Sequence, residues 1–328
     1  MSLPAPSERT VKVAAFAAVY FIWGSTYLAI QLLAETLPGL SMVGVRFFIA
    51  GMILYLWARW HGVPAPNASN LRASVISGGL LLGGGTGSVV VAVEHLPSGM
   101  VALLVGTQPL WLALLMGFWP GIVARPTVRV YGALLVGFAG ATLLAAPGIT
   151  GGASEVDVSL TAVLIALCAC LAWTTGSLFA HTADLPASAG MTSGLQMICG
   201  GLCQILWGTL RGEWDGFAVE SVSWVSVAAF FYLILFGSLL AFSAYSWLIR
   251  TTEPTLVATH AYVNPVVAVF LGWLIASEPV GPRTVVAAVL IIGSVILVNH
   301  ATSRPGGRRR WRQRPAPVPE QPPLEDRA

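Results

Sequence analysis

Apolar stretches of about twenty residues, set apart by short segments rich in Pro, Gly and charged residues, recur along the chain up to residue 300. They fall at 11–32, 40–60, 73–93, 98–118, 127–146, 159–180, 188–209, 223–249, 254–276 and 283–300. A helix needs about 20 apolar residues to cross roughly 30 Å of hydrocarbon. Each stretch therefore predicts a spanning helix, and the pattern as a whole predicts an all-α membrane protein of ten transmembrane helices. Arg9 and Lys12 precede the first stretch and no small-residue cleavage site follows it. It is also too long for a signal-peptide core, so it is predicted to be retained.

Composition removes the soluble alternatives. Of 328 residues, 56% are hydrophobic and 9% charged, with a mean hydropathy of +0.77. That leaves too little polar surface to wet two soluble domains. With the N-terminus placed in the cytoplasm, fourteen of the seventeen basic residues fall on the inner side, leaving only Arg46, Arg211 and Arg283 outside. The positive-inside bias thus predicts two cytoplasmic termini. The net charge of +3 is carried by residues 303–328, "SRPGGRRRWRQRPAPVPEQPPLEDRA", without which the chain is slightly acidic. Such a segment is expected to be disordered, with its arginines near anionic lipid. No folded basic surface suggests nucleic acid as a partner. Cys168, Cys170, Cys199 and Cys203 lie within two predicted helices without His or carboxylate at ligand spacing. They are expected to be small packing residues rather than a metal site or a disulfide framework.

The chain also repeats itself. At an offset of 156 residues, Val101 meets Val257, Ala102 Ala258, Pro109 Pro265, Leu115 Leu271, Pro126 Pro282, Leu134 Leu290 and Gly137 Gly293. At an offset of 150, Trp23 meets Trp173, Leu28 Leu178 and Gln31 His181. Two copies of five helices follow, over 11–146 and 159–300. They are flanked by an N-terminal segment 1–10, a connecting loop 147–158 and a cytoplasmic tail 301–328. A copy with an odd number of spans ends on the side opposite its start, so its successor must enter upside down. The expectation is a pair of inverted repeats, whose substrate site lies near the midplane between halves that rock.

At the residue level the chain resembles the EamA-like branch of the drug/metabolite transporter superfamily. The resemblance covers about residues 11–300 and rests on "FIWGSTYLAI", "RFFIAGMILYL", "TQPLWLALL" and "NPVVAVFLGWLIASEP" followed by "IIGSVILV". It implies a secondary transporter of the inner membrane, often an exporter of amino acids or related metabolites, with a cavity between the halves. One departure is Ile122, within "WPGIVARP", where the first copy often carries a glutamate matching Glu278.

Candidate chemistry gathers in the helices that the repeat pairs. Tyr20, Gly24, Tyr27 and Gln31 share one face of the first helix, with Trp23 adjoining. Such a face suits a small zwitterion or an aromatic ring, and Trp23 and Tyr27 are its substrate candidates. In the ninth helix His260, Tyr262 and Asn264 precede or adjoin Pro265, which weakens the helix by removing a backbone donor. The matching weak point is Gln108-Pro109, with Thr107 beside it. Trp173 is the corresponding candidate in the sixth helix. His260 is also the available proton carrier, since histidine titrates near neutrality. Arg46, Glu94 and Glu278 are candidates for gating or coupling. Interface anchoring is the simpler reading of Arg46 and Glu94, and "SEPVGP" suggests a structural loop around Glu278 rather than a substrate contact.

"GGLLLGGGTGS", residues 78–88, lacks the Lys-Ser/Thr and the flanking strand of a phosphate cradle; closely spaced glycines in a membrane helix instead allow close approach or bending. No nucleotide, cofactor or metal is expected. A membrane enzyme would need a nucleophile–base pair or metal ligands in reach, and a lipid-carrier flippase on the same scaffold would need a lateral opening. The transporter expectation comes with a second one: few buried charges disfavour a strongly ionic substrate.

Overall fold

The protein, seen here in a computed structural model, is described at residues 8–119, 127–150, 158–252, 254–257 and 259–302. These residues are helical almost throughout, and no strand occurs among them. In chain order the helices are α1 (Glu8–Ala34), α2 (Gly39–Trp60), α3 (Ala68–Val93), α4 (Ser98–Met116), α5 (Val128–Thr150), α6 (Leu160–Thr182), α7 (Ala189–Leu210), α8 (residues 224–251), α9 (His260–Ala276) and α10 (Pro282–Thr302). A single turn, Pro254–Val257, precedes α9.

Eight of these helices are long and apolar enough to cross a membrane, fewer than the ten that the hydropathy pattern predicts. The two exceptions have physical reasons. Helix α7 carries Gln196 and Gln204, whose amides donate to Ser77 Oγ (2.9 Å) and Leu82 O (2.6 Å) of α3. Their amide donors are thus met by a neighbour. Helix α9 is shortened to 17 residues. Before it the chain turns at Thr259, and after it Ser277 takes a left-handed conformation (φ 53°). The expected connecting loop also changes: α5 continues through Pro147 to Thr150, and residues 151–157 lie outside the described residues. So do Ile122 and the tail beyond residue 302.

Three helices are irregular inside. Eight residues of α3, Gly79–Thr86, and eight of α8, Leu233–Leu240, form π-helix. The wider π turn appears mainly as single-turn insertions and is frequent at functional sites. Helix α4 breaks between Val105 and Gln108, leaving Pro109 in the first turn of its second piece. There its missing N–H is one the helix would leave unpaired anyway.

Packing brings α2 against α7, α5 against α10, and α4 against α9. Helix α1 lies against α8 and α9, and α6 against α3 and α4. The α2–α7 crossing depends on glycine. A Cβ on Gly44 would stand 2.7 Å from Gly201 O, and one on Gly51 2.7 Å from Gly194 O. Small residues allow membrane helices this approach, where dispersion replaces the hydrophobic effect as the driving force. The main core draws buried residues from α1 to α8 and from α10, among them Leu33, Leu40, Leu103, Leu144, Ala166, Leu233 and Ile291. On the outside, Phe21, Trp60, Leu210, Trp224 and Val289 are exposed, as lipid-facing side chains should be.

Candidate substrate site

Helix α1 presents its polar face to α8 and α9 because it can come close to them. A Cβ on Gly24 would stand 2.7 Å from Val267 Cβ and 3.0 Å from Asn264 O. At this crossing the Trp23, Tyr245 and His260 rings meet. Their centroids are 4.8 Å apart for Trp23–Tyr245 and 5.4 Å for each of the other two pairs. The Trp23 indole N–H donates to Gly237 O (3.3 Å), within the π stretch of α8. His260 Nδ1 is 2.8 Å from Val257 O, which fixes the ring at the start of α9. The Tyr20 hydroxyl and Thr259 Oγ1 are hydrogen-bonded to each other. With its nitrogen turned toward the carbonyls, the Asn264 amide donates to His260 O (3.2 Å) and Tyr20 O (3.3 Å). Two predicted residues, Trp23 and His260, are thus brought together, and Asn264 ties the same two helices.

A second group forms around α6. The buried Thr107 hydroxyl donates to Leu104 O (2.6 Å) and lies 3.8 Å from Cys170 Sγ, so it satisfies the break in α4 locally. Trp173 packs on the π stretch of α3: a Cβ on Gly85 would stand 3.0 Å from Trp173 Cε3. Tyr27, Gln108 and Trp173 are half-buried, and their side-chain polar atoms have no hydrogen-bond partner among the described residues. At the α4–α9 crossing, a Cβ on Gly106 would stand 2.9 Å from Pro265 Cγ. Pro265 itself is buried within α9, whereas its counterpart Pro109 follows a broken turn, so the two weak points have different local geometry.

Four predicted residues meet partners that the sequence does not name. Tyr262 points away from His260 and packs against the separate apolar cluster that holds Leu110, Ala113, Val130 and Val295, because residues two apart on a helix point roughly 200° apart. Arg46 is no interface anchor: it is 4% exposed, its Nε donates to Ser238 Oγ (2.8 Å), and its guanidinium lies 4.5 Å over the Phe47 ring. Glu94 does not pair with Arg46 but with Arg211 (3.0 Å), which also approaches Glu213 (3.7 Å). Glu278 is buried and caps another helix. It accepts from Ser98 N–H (2.8 Å), Ser98 Oγ–H (2.7 Å) and Gly99 N–H (3.0 Å) at the start of α4. Glu213 does the same for α2, accepting from Leu40 N–H (3.1 Å) and Ser41 N–H (2.8 Å). Carboxylates suit helix N-termini, where free N–H groups and the helix dipole concentrate positive potential.

Sequence reasoning missed Tyr245 and Ser238. A signal existed, since seven residues place them on one helical face, but the face gains meaning only once Trp23 and Arg46 lie against it.

Comparison with known proteins agrees with this architecture. The profile of the EamA-like transporter family matches residues 11–146 and 160–300. The inner membrane transporter YedA of Escherichia coli (strain K12) is 37% identical over 287 residues, covering 86% of this chain and 88% of YedA. The transporter YvbV of Bacillus subtilis (strain 168) is 24% identical over 302 residues, covering 90% and 92%. A solved crystal structure shares the fold at a TM-score of 0.56 and 19% identity, covering 90% of this chain and 99% of that one. The chain belongs to the EamA-like transporter family and is a membrane transporter.

Proposed function

We propose that the protein is a secondary active transporter of ten spanning helices in two inverted five-helix halves, exporting amino acids or related small metabolites across the inner membrane. Both termini are cytoplasmic in this reading. The observation that carries it is the internal correspondence of the packing. Replacing each helix by the one five places on maps α1 on α9 to α6 on α4, and α1 on α8 to α6 on α3. It maps the pairs α2–α7, α5–α10 and α4–α9 onto themselves. The Gly44–Gly201 contact goes over into Gly194–Gly51 at the offset of 150. The two eight-residue π stretches lie in the third helix of each half, and each receives the tryptophan of the other half's first helix, Trp23 or Trp173. The separate family matches to the two halves support the same reading.

In this mechanism the Trp23–Tyr245–His260 group, together with Tyr27, Gln108 and Trp173, flanks the substrate. The α4 break and the α3 and α8 π turns supply the backbone give that rocking requires. His260 is the proton carrier if transport is driven by a pH gradient. The test has two parts. Single cysteines placed on the loops that bound the second half should label from opposite sides of the membrane; labelling from one side would sink the inverted arrangement. Proteoliposomes should accumulate labelled amino acids under a pH gradient, and His260→Ala should remove the gradient dependence. An unchanged pH response in that variant would remove His260 from the mechanism.

A further inference from the structure

Arg46 poses a problem that the fold alone does not resolve. It lies seven residues into α2, roughly 10 Å along the helix from Gly39, and is 4% exposed. A guanidinium cannot shed its charge, and a buried charge is retained at a cost unless something pairs it. Ser238 takes only Nε, and Nη1 is buried with no partner. Among the described residues no carboxylate lies within ion-pair distance of it. The helices around it, α1, α2 and α8, contribute no described acidic side chain at its level: Glu35 and Glu220 stand beyond helix ends.

The surroundings are arranged rather than incidental. Phe47 supports one face of the guanidinium at 4.5 Å. Gly237 leaves space beside it: a Cβ there would stand 3.3 Å from Arg46 Nη2 and 3.3 Å from Thr26 Cγ2. The carbonyl of that same glycine accepts the Trp23 indole N–H, which ties the cation to the Trp23–Tyr245–His260 rings. Helix α8 is π-helical at exactly these residues.

We infer that Arg46 is a carboxylate-binding subsite, and that the transported molecule is an organic monoanion or zwitterion whose single carboxylate takes the two Nη groups while its body lies toward Trp23 and Tyr245. With Nε held by Ser238, the free edge of the fork matches two carboxylate oxygens. One cation without a second described Lys or Arg inside the bundle fits one negative charge, not a phosphomonoester. An ammonium on the same substrate would meet aromatic faces, since no carboxylate is there to receive it. This stays within the expectation against a strongly ionic substrate and narrows it to a single carboxylate. The inference rests on the transporter reading above for its cargo, but its binding step can be measured without transport.

The experiment uses the purified full chain. Free amino acids, phenylacetate and lactate are each compared with the corresponding carboxamide by thermal stabilisation, because bound ligand raises the unfolding midpoint by mass action. At least one acid should stabilise where its amide does not, and Arg46→Gln should weaken that acid by roughly 30- to 100-fold, the scale of lost charge-assisted hydrogen bonds. Arg46→Lys should recover only part, as a point charge without the fork. No acid exceeding its amide, or equal affinity in Arg46→Gln, overturns the inference. Should Arg46→Gln fail to fold, Ser238→Ala must weaken the same acid, and unchanged affinity in that variant overturns it as well. Counterflow in proteoliposomes separates the two readings. Binding without flux removes the transporter mechanism and leaves the subsite, whereas flux indifferent to Arg46→Gln does the reverse.

Discussion

Glu278 offers the sharpest test of structure against coupling, because a buried carboxylate in a transporter invites a protonation role. Its geometry argues for a cap. Three donors at the start of α4 converge on it, and its own backbone N–H donates to Gly272 O (3.1 Å), folding the chain back through the left-handed Ser277. Gly272 must lack a side chain there, since a Cβ would stand 2.3 Å from Glu278 Oε2. Hydrogen bonds to a charged acceptor contribute about 1.5–3 kcal/mol each when taken singly. Glu278→Ala would not forfeit all three, because Ser98 N–H also has Gln31 Oε1 at 3.0 Å and the Ser98 hydroxyl can rotate. The Gly99 N–H is left without its acceptor, so the net destabilisation should be about 2–4 kcal/mol. Glu278→Gln keeps one acceptor but turns an amide NH2 toward a backbone donor, and should cost about 1–2 kcal/mol. Thermal unfolding in detergent reads these values, and pH-driven flux in proteoliposomes reads coupling. The reasoning fails if Glu278→Gln unfolds with the wild type while losing its response to the pH gradient. That pair of results would make the carboxylate a proton-coupling group rather than a clasp between α9 and α4.

Three other outcomes follow from named contacts. Gly44→Leu should separate α2 from α7, where Gly201 O leaves no room for a side chain; overpacking of this kind costs about 1–3 kcal/mol, visible as a lower unfolding temperature, whereas the lipid-facing Leu210→Ala should be nearly neutral. Trp23→Phe keeps the ring against Tyr245 and His260 but loses the bond to Gly237 O, so substrate KM should rise by several-fold, about 1 kcal/mol for one neutral hydrogen bond; an unchanged KM would remove the indole from the site. Glu94→Gln breaks an ion pair that is open to water on both sides, and stability should move by no more than about 0.5 kcal/mol, with any effect vanishing at high salt.

Particular residues show where the sequence was informative. Hydropathy located most of the helices to within a few residues, because the energetic demand of crossing hydrocarbon is written into any stretch of about twenty residues. The offsets of 150 and 156 paired Trp23 with Trp173 and Pro109 with Pro265 before any packing was known, and the family motifs pointed to a transporter. Polar faces within one helix are legible too, and two of them, carrying Trp23 and His260, prove to be neighbours.

What each face meets was decided only by the tertiary structure. In a membrane protein the lipid-facing and core-facing sides are both apolar, so periodicity does not tell them apart. That is why Tyr262 could be grouped with His260 although it packs on α4, α5 and α10. A polar residue, likewise, carries no record of its partner when that partner lies far along the chain. Arg46 near the end of an apolar run reads as an interface anchor until Ser238, 192 residues away, takes its Nε. Glu278 reads as part of a loop, and only the fold shows that Ser98, 180 residues away, donates to it. The sequence by itself determined that the chain spans a bilayer in helices and repeats its own pattern. The folded structure alone decided which polar groups are spent on holding helices together and which, like the Arg46 fork, are left over for something else to bind.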